Sequence, residues 1–129
     1  MRSYQPGVAP DAAEWLCLDE SGRIQLVEAY HAAEGVELPS VRVHAAIHVI
    51  VENQIAENVE AVVEAMERLV KKGGLARHDA IHAIGAVVTE HLFDDIKGGS
   101  SRTAGDVNDR YLAAIRQITA KRWRQRYGD

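Results

Sequence analysis

Apolar positions recur along most of this chain at helical spacing, and little of it alternates as a strand would. Asp11 can cap a short helix through Cys17, anchored by Trp15 and Leu16. Ser21 sits where a second helix can start, running Gly22–Ala33 with Ile24, Leu26, Val27 and Tyr30 on one side and Gly35 as its stop. After the loop E-L-P-S (37–40), Ser40 can cap a helical phase that persists from Val43 to Val70 and ends at Lys71-Lys72-Gly73-Gly74. A further helix is predicted over Arg77–Ile96, stopped by Gly98-Gly99-Ser100-Ser101, and Asp106 can cap a last one through Arg126. The expected fold is an all-α bundle of about five helices: an extended arm over 1–10, then one helical domain over 11–129 whose basic C-terminal helix spans about 106–126.

Two apolar segments carry an unusual insertion of polar chemistry. V-H-A-A-I-H-V-I-V-E-N-Q (43–54) and R-H-D-A-I-H-A-I (77–84) each hold two histidines four residues apart, His44/His48 and His78/His82. Four residues advance about 40° round a helix and about 6 Å along it, so each pair shares a face. Ile47, Val51, Ile81 and Gly85 share that face too, which points it toward an interior. Buried imidazoles need partners, and a metal ion is a partner that several can share.

The separation of the pairs raises a problem of register. If residues 42–72 form one rod folded back at Gly73-Gly74, facing residues have numbers summing to about 147, and His82 lies roughly 25 Å from His48. The pairs meet only if the chain reverses once more near Ile55–Glu60. Asn53-Gln54 is then the fraying point and Asn58 the cap of the middle helix. Three helices result, the first and third parallel, with His44 level with His78 and His48 with His82.

Composition narrows the setting. A chain of 129 residues that is 47% hydrophobic can bury one core. Lone Cys17 excludes an internal disulfide and reads as a small packing residue. The first ten residues lack an apolar run of signal-peptide length, and no segment approaches about 20 uninterrupted apolar residues, so a cytoplasmic, membrane-free protein is expected. Residues 1–101 hold 8 Lys+Arg against 16 Asp+Glu, and residues 102–129 hold 7 against 3. The basic tail R-Y-L-A-A-I-R-Q-I-T-A-K-R-W-R-Q-R-Y (110–127) reads as a solvated face balancing an acidic body. Nucleic acid is therefore not an expected partner; a homo-oligomer is compatible with the sequence. A glycine-rich phosphate loop, the H-E-x-x-H zinc motif and a serine nucleophile elbow are all absent, and His78-Asp79 alone is a weak likeness to metal phosphohydrolases.

The segments L-D-E-S-G-R-I-Q-L-V-E-A-Y-H (18–31), E-L-P-S-V-R-V-H-A-A-I-H-V-I-V-E-N-Q-I-A (37–56) and G-L-A-R-H-D-A-I-H-A-I-G (74–85) carry a resemblance. Together they are similar to short bacterial helical proteins of the domain-of-unknown-function family 1841, with its pattern H-x3-H-x3-E-x-Q followed by H-x3-H-x7-E. The resemblance covers about Leu18 to Phe93 and places His44, His48, Glu52, Gln54, His78, His82 and Glu90 on the motif positions. It implies an extra reversal between the motifs, where relatives carry proline or glycine and this chain has I-A-E-N-V-E-A. It implies no activity.

Imidazole nitrogens with carboxylate oxygens suit a divalent transition metal, Zn or Fe foremost, and argue against Ca or Mg. The candidate ligands are His44, His48, Glu52, His78, His82 and Glu90, enough for one ion or two. Glu52 lies two turns, about 12 Å, from His44, so the two cannot bind one ion from the same helix. Glu52 then completes the site around His48, joins a second ion, or holds a histidine N–H, as Gln54 and Asp79 can. Glu90 stands two turns past His82. His31 and His91 read as packing or surface residues, although His31 ends a helix that can lie over the site. Three functions fit: a metal-dependent hydrolase or oxidoreductase acting on a small molecule, with Glu52 or Glu90 as general base; a closed structural ion; or a metal-free interaction module whose histidines bond to backbone and carboxylates.

Overall fold

The computed structural model describes residues 1–35, 40–98 and 104–127, with side chains 92–98, 104–107 and 127 left aside. The helices are α1 (Ala12–Cys17), α2 (Glu20–Ala33), α3 (Val41–Ala56), α4 (Glu60–Glu67), α5 (Arg77–Gly98), α6 (Ala104–Ile115) and α7 (Ala120–Tyr127). A π-helical turn, Arg68–Lys72, continues α4, and no strand occurs among the described residues. The all-α expectation holds, with more and shorter helices than five. Loop 37–39 and residues Gly99–Ser101 of the expected stop lie outside the described residues.

Capping explains most boundaries. Asp11 accepts a hydrogen bond from the Glu14 amide at 3.0 Å, and Ser40 one from Val43 at 3.2 Å, as the sequence suggests. The start of α2 differs. Asp19 accepts from Gly22 N at 2.7 Å, so the helix begins at Glu20 and Ser21 lies inside it. A carboxylate at the cap also favours the positive end of the helix.

The reversal between α3 and α4 is present, and Asn58 makes it, though not as a cap of α4. Asn58 is the one non-glycine with positive φ (59°) among the described residues. Val59 N bonds to Gln54 O at 2.9 Å and Asn58 N to Ile55 O at 3.0 Å, the paired bonds of a Schellman stop with asparagine in glycine's place. Asn53 and Gln54 remain helical; Asn53 Oδ1 accepts from Trp15 Nε1 (2.9 Å) and Arg23 Nη1 (3.0 Å).

The expected parallel pairing of α3 with α5 is not what forms. Glu52 meets Arg77, His48 meets His78 and His82, His44 meets His82, and Ile47 lies against Gly85. Partners rise along α5 as one descends α3, so the helices are antiparallel. The reason is that α4 and its π turn return the chain to the end of α3 it left, where α5 starts beside Glu52. A Cβ on Gly85 would sit 2.8 Å from Ile47 Cγ2, so glycine permits the close approach.

Helix α3 separates two apolar clusters. Val51 packs with Val62, Leu69, Ile81, Ile84 and Ile115 on one side, and Val49 and Ala45 pack with Tyr4, Trp15 and Val27 on the other. Each buried Val, Leu or Ile among them contributes about 1.5–3 kcal/mol by leaving water. The predicted single C-terminal helix is two. Helix α6 starts at Ala104, before Asp106; Arg68 donates to its last carbonyl at Ile115 (2.9 Å) and to Ile118 O in the link that follows (3.0 Å), and Thr119 Oγ1 caps α7 through Arg122 N.

Candidate metal centre

Between the two clusters α2, α3 and α5 bring five imidazoles together: His31, His44, His48, His78 and His82. Single ligand nitrogens of His31, His44, His48 and His78 all lie within 4.8 Å of one another, a group that can hold a metal ion. His48 is central, its Nε2 standing 3.3 Å from His78 Nε2 and 3.2 Å from His82 Nε2. Tetrahedral bonds of about 2.0–2.1 Å place ligand nitrogens about 3.3–3.4 Å apart, so these spacings match the edges of a coordination shell.

Hydrogen-bond partners orient the rings. His31 Nδ1 lies 2.8 Å from Val27 O, which can only accept, so Nδ1 carries the proton and Nε2 a bare lone pair. That Nε2 is buried and has no hydrogen-bond partner, in a residue only 2% exposed. The Tyr4 hydroxyl donates to Glu52 Oε2 at 2.6 Å, leaving its oxygen to accept from His48 Nδ1 at 3.2 Å. His48 Nε2 therefore also presents a lone pair, and one lone pair cannot accept fully from both His78 and His82. A cation at the convergence satisfies these nitrogens together, where hydrogen bonds among them do not.

Electrostatics favour neutral donors. Burial, then the neighbouring imidazoles, pushes His48 down to about 2 and His82 down to about 4. Burial followed by His31 lowers both His44 and His78, with Asp79 partly opposing the shift at His78. Uncharged imidazole is the form that ligates.

Glu52 is fully occupied elsewhere. Arg77 grips both oxygens, Nη2 to Oε1 at 2.7 Å and Nη1 to Oε2 at 2.8 Å, while Tyr4 takes Oε2 as well. The carboxylate is 1% exposed and stands behind His48, reaching it through the phenol, so of the three roles open to it the outer hydrogen-bonding one fits this placement. Burial alone would lower the Arg77 pKa, but hydrogen bonds and charge from Glu52 outweigh it and hold it above the usual value. Burial, then the Glu52 charge, drives the Tyr4 phenol far upward, keeping it a donor. Arg77 also donates to Pro6 O at 2.8 Å, fastening the N-terminal segment over this network.

Glu90 is not brought to the imidazoles. It lies two turns beyond His82, is 44% exposed, and pairs with Arg126 at 2.6 Å. Gln54 accepts from Tyr111 at 2.6 Å in the other core, and His91 Nδ1 bonds to Val87 O at 3.0 Å. Sequence reasoning underrated His31 and passed over Tyr4 and Arg77. The one cue for His31 was its place at the end of an amphipathic helix; an arm tyrosine and an arginine next to His78 carry no periodic signal. No family model, curated protein or solved structure matches the chain.

Proposed function

We propose that this protein binds one transition-metal ion, Zn or Fe, through imidazole nitrogens from α2, α3 and α5, and uses it to polarise a small molecule. The carrying observation is the unpartnered, buried Nε2 of His31 in a residue that offers one ring nitrogen to a group with His44, His48 and His78 lying within 4.8 Å of one another. One ion fits better than two, because His48 Nε2 is shared by the short nitrogen–nitrogen contacts to His78 and His82 and a nitrogen lone pair serves one metal. The network Tyr4–Glu52–Arg77 holds His48 by its other nitrogen, as outer partners of metal-bound histidines do. The cluster is not sealed, since His44, His48 and His82 line a cleft, and that favours a position for substrate over a closed structural ion. An ion there supplies Lewis acidity, suiting a hydrolase or an oxidoreductase. Among the described residues no helix is long and apolar enough to cross a membrane.

The test is elemental analysis of protein purified without a histidine tag, wild type beside His48→Ala and His31→Ala. About one equivalent per chain is expected in the wild type and well under half of that in His48→Ala, since three contacts converge on that ring. A wild type that stays metal-free after incubation with Zn(II) and with Fe(II) refutes the reading and leaves the interaction module.

A further inference from the structure

The cleft has a composition that restricts what can enter it. It has a volume of about 410 Å³, and His44, His48 and His82 are part of its lining. Its walls include Val43, Ile47, Ile81 and Trp123, and among the described residues lining it there is no Lys, Arg, Asp or Glu. Ser40 and Thr89 are its hydroxyls; Ser40 caps α3, and Thr89 donates to Gly85 O at 2.9 Å. Val43 is 63% exposed at the mouth, a large apolar side chain left in water. A volume of this size far exceeds what water or a diatomic gas needs, about 30 Å³ for a water, and falls in the range of small organic ligands, about 300–1,000 Å³. A charged body here would lose hydration without gaining a partner.

We infer that the cleft receives an uncharged, largely apolar organic molecule carrying a single nitrogen or oxygen donor, and presents that donor to the histidine cluster. The inference rests on the metal reading for the donor's target and on the cleft lining for the rest. The apolar body lies along Val43, Ile47 and Trp123; the donor points at the end where His44, His48 and His82 converge. Ala86 also lines the cleft and is only partly buried, so a larger side chain there projects into the space the body would occupy.

The probes are imidazole, 4-phenylimidazole and 4-(4-carboxyphenyl)imidazole, titrated into cobalt(II)-loaded protein and followed by the visible spectrum. The neutral fluorophore N-phenyl-1-naphthylamine is titrated separately into metal-free protein. Burial of the phenyl ring should make 4-phenylimidazole about tenfold tighter than imidazole, and the carboxylate should remove most of that gain. Ala86→Phe should abolish the phenyl advantage and fluorophore uptake while leaving the affinity for imidazole unchanged. If that variant fails to fold, Ala86→Leu should show the same ordering with a smaller effect. Equal affinity for imidazole and 4-phenylimidazole, or full tolerance of the carboxylate, overturns the inference. A dimer that forms with concentration and excludes the fluorophore overturns it in favour of a second copy of the chain. A cobalt spectrum that never develops overturns the metal reading and the donor half of this one, and fluorophore uptake then supports the apolar cleft alone.

Discussion

Replacing Glu52 by glutamine keeps the volume and removes one charge at the point where the N-terminal segment, α3 and α5 are joined. The carboxylate accepts three bonds of 2.6–2.8 Å, two from Arg77 and one from Tyr4. A glutamine amide presents an N–H₂ on one side, so either orientation sets a donor against at least one Arg77 N–H. Arg77 is only 14% exposed and would keep Pro6 O and the single amide oxygen as its acceptors. Breaking one member of a buried pair costs about 3–5 kcal/mol, and the surviving amide oxygen recovers part, so a loss of about 3 kcal/mol is expected. Against a total stability of roughly 5–15 kcal/mol that is a large fraction. Urea unfolding of metal-free protein, followed by far-UV circular dichroism, should show a lower midpoint with an unchanged slope. The double replacement Glu52→Leu/Arg77→Met removes both charges and should cost less than the two single losses summed, giving a coupling energy of about 2 kcal/mol or more. The longer pair Arg42–Glu28, at 3.9 Å with Arg42 72% and Glu28 29% exposed, is the control, and Glu28→Gln should cost under about 0.5 kcal/mol. A loss below about 1 kcal/mol for Glu52→Gln would refute the assignment of this pair as a buried junction.

Tyr4→Phe deletes the link between His48 and Glu52 without opening a cavity; metal affinity should fall about 10–100-fold, with helicity by circular dichroism unchanged. Acid should destabilise the metal-free protein through the imidazoles. Above the unfolded pKa of about 6.5 their contribution is fully present, and below it the unfolded chain binds protons that folded His48, near 2, does not, so stability falls by roughly 1.4 kcal/mol per pH unit for that residue. Thermal midpoints should change little between pH 7.5 and about 6.5 and fall from there to about pH 5; a flat profile over the lower range would mean the cluster titrates as it does in water. At Asn58, with φ of 59°, Asn58→Gly should hold or raise stability, whereas Asn58→Ala should lower it by roughly 1 kcal/mol in the same urea assay.

What was legible in the sequence was local. The i,i+4 histidine pairs, the caps at Asp11 and Ser40 and the apolar faces of α3 and α5 follow from spacing of a few residues, and they appear where spacing puts them. Direction was not legible, because helical periodicity is the same whether a neighbour runs up or down. The need for a reversal near residue 58 came from asking how two distant pairs could meet; its mechanism, an asparagine in the left-handed region, is a choice that glycine usually makes and periodicity does not report. Glu90 illustrates the reverse error. It lies eight residues past His82 as Glu52 lies eight past His44, but antiparallel helices carry the two carboxylates in opposite directions, so Glu52 stays beside the start of α5 and Glu90 ends near α7 with Arg126.

The antiparallel arrangement also bears on chemistry. In a parallel pair with two rungs, His44 with His78 and His48 with His82, each rung would be a separate site and the symmetry would suggest two ions. Here His48 is within 3.3 Å of both histidines of α5, and α2 adds His31 from a third direction. Donors from three helices lie close together, while the Glu52 carboxylate is held by Arg77. A site built this way gathers nitrogen donors at its centre and keeps its anion outside, one hydrogen-bonded phenol away from the nearest ligand. An ion held there would keep its charge unreduced by carboxylate. That is the condition under which a metal most strongly polarises a neutral donor arriving from an apolar cleft.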